Sequence, residues 1–198
     1  MPRSRLFRVL VTLAAGAVLA AGSFASAQVA PPKTAPTKPG ATALTDPFGE
    51  EVVLTEQTII FMRGSGNWDS AYETLVDAFK NVYAVLKRQG VKPAGRSMVI
   101  YSGNDDAGFR FQAAVPIKEP LNNTPRGDVA IGKSPGGRAL KFVHRGPYET
   151  IDDTYEAIVN FLDAKNLESR EVFVEEYTTD PVTTPEGELI INVYVPLQ

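Results

Sequence analysis

Apolar residues recur three and four positions apart in two stretches of the chain. Tyr72, Leu75, Phe79, Val82 and Leu86 form one series; Tyr148, Ile151, Tyr155, Ile158 and Leu162 form the other. That spacing gathers each series on one face of a helix and predicts two amphipathic helices, each burying a stripe. Both end at residues that tolerate the left-handed conformation of a C-terminal cap, Gly90 and Asn166. Around the helices the period shortens. TIIFMRG (58–64) precedes the first helix, with SMVIY (97–101) and FRFQAAVPI (109–117) after it. ALKFVHRG (139–146) precedes the second, with FVEEY (173–177) and LIINVYVPL (189–197) after it. Short runs rich in β-branched and aromatic residues, bounded by Gly, Pro, Asn and Asp, predict strands.

The two series are in register with one another. A shift of 76 residues lays the first helix on the second and SMVIY on FVEEY. The last strands need a shift of 80, and the longer turn TTDPVTTPEGE (178–188) absorbs the difference. In the first copy the turn before the helix is the longer one, GSGNWDSAY against GPY. The prediction is an α+β domain built by internal duplication. It has two β-α-β-β modules related by a pseudo-two-fold axis, with antiparallel sheets and one main helix each. Half one spans 51–118 and half two 128–197, with a groove expected where they meet, a common place for a small ligand.

The first 47 residues read differently. Arg3, Arg5 and Arg8 precede an apolar run, and Ala25-Ser26-Ala27 fits a signal-peptidase site, so residues 1–27 are expected to be a secretory signal cleaved before Gln28. Residues 28–47 are rich in Pro, Thr, Ala and Lys and are expected to be a flexible linker to the domain at 48–198. The expected location is periplasmic or secreted, with no stable membrane anchor after cleavage. The chain has no cysteine, so the exported domain must hold together by burial without disulfides. Its net charge is −3 even with the three arginines of the signal, and no basic cluster follows them. Nucleic acid is therefore excluded as a partner, since binding it needs Lys and Arg to replace phosphate counterions.

One set of marks goes further: His144 shortly before Gly146-Pro147-Tyr148, Glu175 and Tyr177 ahead of Asp180-Pro181, then Tyr194 and Pro196. Together they resemble the GyrI-like small-molecule-binding domain, which is also the effector-binding portion of AraC- and MerR-type regulators and is related to the SOUL haem-binding proteins. The first half matches through GVKPAGRSMVIYSG (90–103) and FQAAVPI (111–117). The resemblance implies two β-α-β-β modules about a pseudo-two-fold axis. It implies a groove for lipophilic, often cationic compounds, with a carboxylate from the Glu-x-Tyr strand and surrounding aromatics. Some members of the family inhibit DNA gyrase, and a subset hydrolyses cyclopropane-containing natural products. This chain departs from the regulators, because a signal and a linker precede its domain in place of a helix-turn-helix.

Strand alternation puts Glu175 on one face with Phe173 and Tyr177, where it could neutralise a cation or act as an acid or base. Alternation also opposes Tyr194 to the apolar set Leu189, Ile191, Val193 and Val195. That set is expected on the helices, leaving Tyr194 toward the groove. Tyr101 and Tyr177 are equivalent in the two halves and are expected either to face each other at the axis or to pack as ordinary core aromatics. Trp68, the only tryptophan, is expected as a ligand lid or as a plug over the core, with Asn67 or Asp69 capping the first helix. His144, the only histidine, has no second histidine to share a metal and is expected to be structural. GKSPGG (132–137) lacks phosphate-loop spacing and reads as a turn between strands. The expected function is an exported monomeric binder of a lipophilic or cationic small molecule, without a cofactor, through Glu175, Tyr177, Tyr194, Tyr101 and Trp68. The alternatives are hydrolysis of an electrophilic ligand by Glu175 and, more weakly, haem or tetrapyrrole binding.

Overall fold

The computed structural model describes residues 48–198 except 105, 106, 124 and 126. The expected signal peptide, its cleavage site and the linker lie outside the described residues. Among the described residues eight strands and two α-helices follow one another: β1 (Glu50–Leu54), β2 (Thr58–Gly66), α1 (Ala71–Gln89), β3 (Met98–Asn104), β4 (Phe109–Pro116), β5 (Val129–Lys133), β6 (Gly137–Arg145), α2 (Ile151–Lys165), β7 (Phe173–Tyr177) and β8 (Ile190–Pro196). Strand–helix–strand–strand thus occurs twice, and GKSPGG is the turn from β5 to β6.

The sheet corrects one expectation. The two halves do not make separate sheets; all eight strands join in one sheet, in the order β1-β6-β8-β7-β3-β4-β2-β5. The seam is the antiparallel pair β3–β7, which sets Met98 opposite Glu176, Val99 opposite Glu175 and Tyr101 opposite Phe173. Each half thereby gains the backbone partners that its own edge lacks. The order is also balanced about the seam: β6-β8-β7 lies on one side and β3-β4-β2 on the other, with β1 and β5 each added to the opposite half.

Both helices lie on the same face. α1 buries Leu75, Ala78, Phe79, Val82 and Leu86, and α2 buries Ile151, Tyr155, Ile158 and Leu162. Against them pack Val99, Phe142, Ile191, Val193 and Val195 from the strands. The helices stop where the sequence placed their caps. Gly90 and Asn166 take φ of 70° and 51°, and their N–H groups bond back to the last turn. Each helix is entered through a short 3-10 turn, Trp68–Ser70 before α1 and Tyr148–Thr150 before α2. Tyr148 therefore stands one turn ahead of the helix it was expected to open. The other face of the sheet carries a separate cluster around Ile59, Phe61, Met98, Ile100, Ala114 and Val174.

One close approach holds the residue before β4 against the end of β2. A Cβ on Gly108 would collide with the Gly66 carbonyl oxygen. Gly108→Ala must push two backbones apart. The expected loss is about 1–3 kcal/mol of unfolding free energy, the scale of overpacking a filled site, measured by urea denaturation.

Candidate functional site

Alternation along β7 turns Phe173, Glu175 and Tyr177 toward the helices and Val174 and Glu176 away. Glu175 is consequently a carboxylate inside the main core, 1% exposed, with Val99 and Val193 as its neighbours across the strand pairs. Ionised, it can only accept hydrogen bonds. Four tyrosine hydroxyls converge on it. Tyr155, from α2, donates to Oε1 at 2.8 Å. Tyr101, from β3, donates to Oε2 at 3.1 Å, and Tyr148, from the turn before α2, donates to Oε2 at 3.2 Å. Tyr177, two residues along the same strand, donates to Oε2 at 3.3 Å. The hydroxyls of Tyr101 and Tyr148 lie 2.7 Å apart, so either can donate to the other in place of its bond to Glu175. Tyr72, on α1, stacks its ring on Tyr148 at 5.3 Å and donates its hydroxyl to the Pro181 carbonyl.

Among the described residues no ion pair reaches Glu175. Burial drives its carboxyl up to about 7, while the bonds from Tyr155, Tyr101, Tyr148 and Tyr177 pull the other way. The same burial, with the nearby carboxylate, holds all four tyrosines well above the ordinary phenol range, so they are neutral donors. The arrangement is a carboxyl in an apolar layer, hydrogen-bonded but, among the described residues, without a counter-cation.

The structure brings together Glu175, Tyr177 and Tyr101 of the residues expected from sequence. It adds two that stand in the sequence as helix-stripe positions: Tyr148, which is also one of the family marks, and Tyr155. The signal was there: half one has Phe79 where half two has Tyr155, and a buried tyrosine needs a partner for its hydroxyl. Tyr194 is a correction. The apolar set of β8 does pack on the helices, as expected, but Glu175 faces the helices too, so Tyr194 lies on the opposite face of the sheet. There its hydroxyl donates to Glu176 at 3.2 Å, beside Asn192 at 3.1 Å and Arg96 at 3.4 Å.

Trp68 is half-buried in the turn before α1, with its ring 4.8 Å from Phe109, and Asn67 caps that turn by accepting from the Ser70 N–H. Phe109 in turn packs edge-on against Tyr101 at 5.8 Å and floors an open recess of about 490 Å³. Trp68 is thus linked to the carboxylate through Phe109 and Tyr101. His144 is 3% exposed and spends both ring nitrogens locally: Nε2 on the Pro147 carbonyl at 3.1 Å, Nδ1 on the Thr154 hydroxyl at 2.9 Å. Burial lowers its pKa, in keeping with a neutral ring that donates from Nε2 and accepts at Nδ1. It pins the Gly-Pro turn that delivers Tyr148, a structural task. Among the described residues no group of side chains forms a metal site.

Residues 50–198 match the GyrI-like small molecule binding domain, and the chain belongs to that family. Solved structures share the fold at low identity. The EcmrR C-terminal domain is 14% identical over 76% of this chain and 96% of that one, with a TM-score of 0.64. In the EcmrR–DNA complex the match spans 57% of the EcmrR chain. A hydrolase encoded by lin2189 from Listeria innocua is 13% identical over 76% and 92%, with a TM-score of 0.55. SAV2435 bound to tetraphenylphosphonium is 12% identical over 76% and 93%, with a TM-score of 0.54. No curated protein sequence matches the chain.

The carboxylate should cost the empty fold stability. Its pKa is raised on folding, so the folded state holds the extra proton and stability falls as pH rises through the window from 4.5 to about 7. Glu175→Gln removes the charge and keeps the size. The variant should unfold at a higher temperature than the parent at about pH 8, by an amount worth a few kcal/mol. The gap should shrink toward about pH 5, where both side chains are neutral. Paired thermal scans across that range measure it.

Proposed function

We propose that this chain is a binder of lipophilic cations that places the ligand's charge against Glu175 at the seam between its two halves. One observation carries the reading: a fully buried carboxylate supplied with neutral donors and no cation. A buried charge is costly unless it is paired, so its partner is expected from outside. The hydroxyls leave the carboxylate little free accepting capacity. A cation without N–H groups, neutralised through space and by ring faces, therefore suits the site better than an ammonium that must hydrogen-bond. A neighbour of the same fold bound to tetraphenylphosphonium supports that chemistry. Tyr101 and Tyr72, both half-buried, are the rings a ligand would move to reach it.

The reading extends to location and state. The signal-like start and the Pro-rich segment support export, so binding would take place outside the cytoplasm as capture, sensing or delivery. Both halves of the site lie on one chain, so a monomer suffices. The repeated element order and the 76-residue register support an internal duplication as its origin. Hydrolysis is the second reading, favoured by a carboxyl that titrates near neutrality and can give or take a proton. It requires water beside Glu175, which the closed ring of hydroxyls opposes.

Titration with tetraphenylphosphonium, followed through Trp68 fluorescence, should show saturable binding. Glu175→Gln should weaken it roughly 100-fold, the scale of about 3 kcal/mol for a lost charge partner in a buried site. A neutral analogue such as triphenylphosphine oxide should respond little to the same change. Equal weakening of both ligands would remove Glu175 from the role of charge partner. Turnover lost with binding retained in that variant would select the hydrolase. Expression of the full chain in a bacterium, with N-terminal sequencing of the exported product, should give a first residue of Gln28. An uncleaved cytoplasmic product would end the export reading.

A further inference from the structure

We propose that capture at this site is an exchange, in which Glu175 holds a proton while the site is empty and an incoming cation drives that proton out. The inference rests on Glu175 being the ligand's charge partner. It adds that binding and proton release are one event.

The groups facing the carboxyl are these. Tyr101 comes from β3, Tyr148 from the turn before α2, Tyr155 from α2 and Tyr177 from β7 itself. The strand neighbours Val99 and Val193 are apolar. One step further out, Asp152 acts on Tyr155 and Tyr72 acts on Tyr177, and neither supplies positive charge. Nothing in this surrounding favours an ionised carboxyl except the hydroxyl donors, and those can serve a neutral one as well.

Both protonation states can be fully hydrogen-bonded. Ionised, the two oxygens accept from the four hydroxyls. Protonated, one oxygen becomes a donor and needs an acceptor. The 2.7 Å contact between Tyr101 and Tyr148 supplies it. Tyr148 can turn its O–H onto the Tyr101 oxygen, and its own oxygen, 3.2 Å from Oε2, then accepts the carboxyl proton. Among the described residues no buried side-chain polar atom lacks a partner, and this rearrangement leaves none. Burial, which lifts the carboxyl to about 7, makes the neutral form available at ordinary pH.

The balance is simple. The carboxyl O–H bond breaks, the proton passes to the buffer, and the ligand's positive charge replaces it. Charge inside the site is neutral before and after. Affinity for a cation should therefore weaken on acidification, and a ligand taken up at neutral pH should be released in acid.

Calorimetry of tetraphenylphosphonium binding to the wild-type domain, in pairs of buffers with different ionisation enthalpies, reads the proton directly. At about pH 6 close to one proton should be released per ligand, and at about pH 8.5 almost none. The Kd should tighten about tenfold per pH unit below about 7 and level off above. Infrared difference spectra at the lower pH should lose the carbonyl stretch of a protonated carboxylic acid on ligand addition, a band absent from Glu175→Gln. That band separates Glu175 from His144, whose imidazole has none. Binding that is flat with pH and releases no proton would overturn the exchange and leave the binding site standing. Failure to bind at any pH would overturn both.

Discussion

A carboxylate enclosed in an apolar layer must be given donors or given up, and the second half of this domain is organised around that requirement. The strand carrying Glu175 supplies one hydroxyl itself, through Tyr177. The helix packed over it supplies Tyr155, the turn leading into that helix supplies Tyr148, and the first half reaches across the seam with Tyr101. Each donor arrives on a different element, so the cluster exists only when the whole fold is assembled. His144 belongs to the same scheme at one remove, since its two bonds fix the turn that presents Tyr148.

The matched positions of the two halves set the cluster beside an apolar counterpart. Glu175 corresponds to Val99, and the seam sets the two directly opposite one another. Tyr155 corresponds to Phe79, Tyr148 to Tyr72 and Tyr177 to Tyr101. Half one therefore keeps an apolar version of the same packing, with valine where half two has a carboxylate and phenylalanine where it has a phenol. A pair of polar partners exchanged together for apolar groups of similar shape can leave stability nearly unchanged, whereas removing one partner strands the other. The acid and its nearest hydroxyl make sense only as a pair.

Much of this was legible in the chain. The 3.6-residue stripes and left-handed caps located both helices, and alternation in FVEEY put Glu175 beside Tyr177 on one face. Equivalence of Tyr101 and Tyr177 put both near the axis, and both hydroxyls reach Glu175, although Tyr101 stands opposite Phe173 in the seam. What periodicity cannot say is which strand edges join. Two similar halves could stand as facing sheets or fuse edge to edge, and only the β3–β7 pairing decides it. Tyr194 shows the same limit: alternation within β8 sets it opposite Ile191 and Val193, but does not say on which face of the sheet Glu175 lies. Tyr148 and Tyr155 were hidden because a stripe of large apolar residues accommodates a tyrosine ring without revealing where its hydroxyl points.

The chemistry of the cluster also bears on selectivity. Its polar groups are phenols that bond to the acid and to each other, and none is a charged side chain aimed at a fixed point on a ligand. Such a site gains little from a particular pattern of donors and discriminates by charge and apolar bulk. A carboxylate fixed by its own protein donors keeps its position whatever ligand lies near it, while half-buried rings such as Tyr101 and Tyr72 can shift to suit different shapes. Rigidity is placed at the charge and adjustability at the wall, and under the proposed cation binding that division would let one buried acid serve ligands that share little beyond a positive charge and a hydrophobic surface.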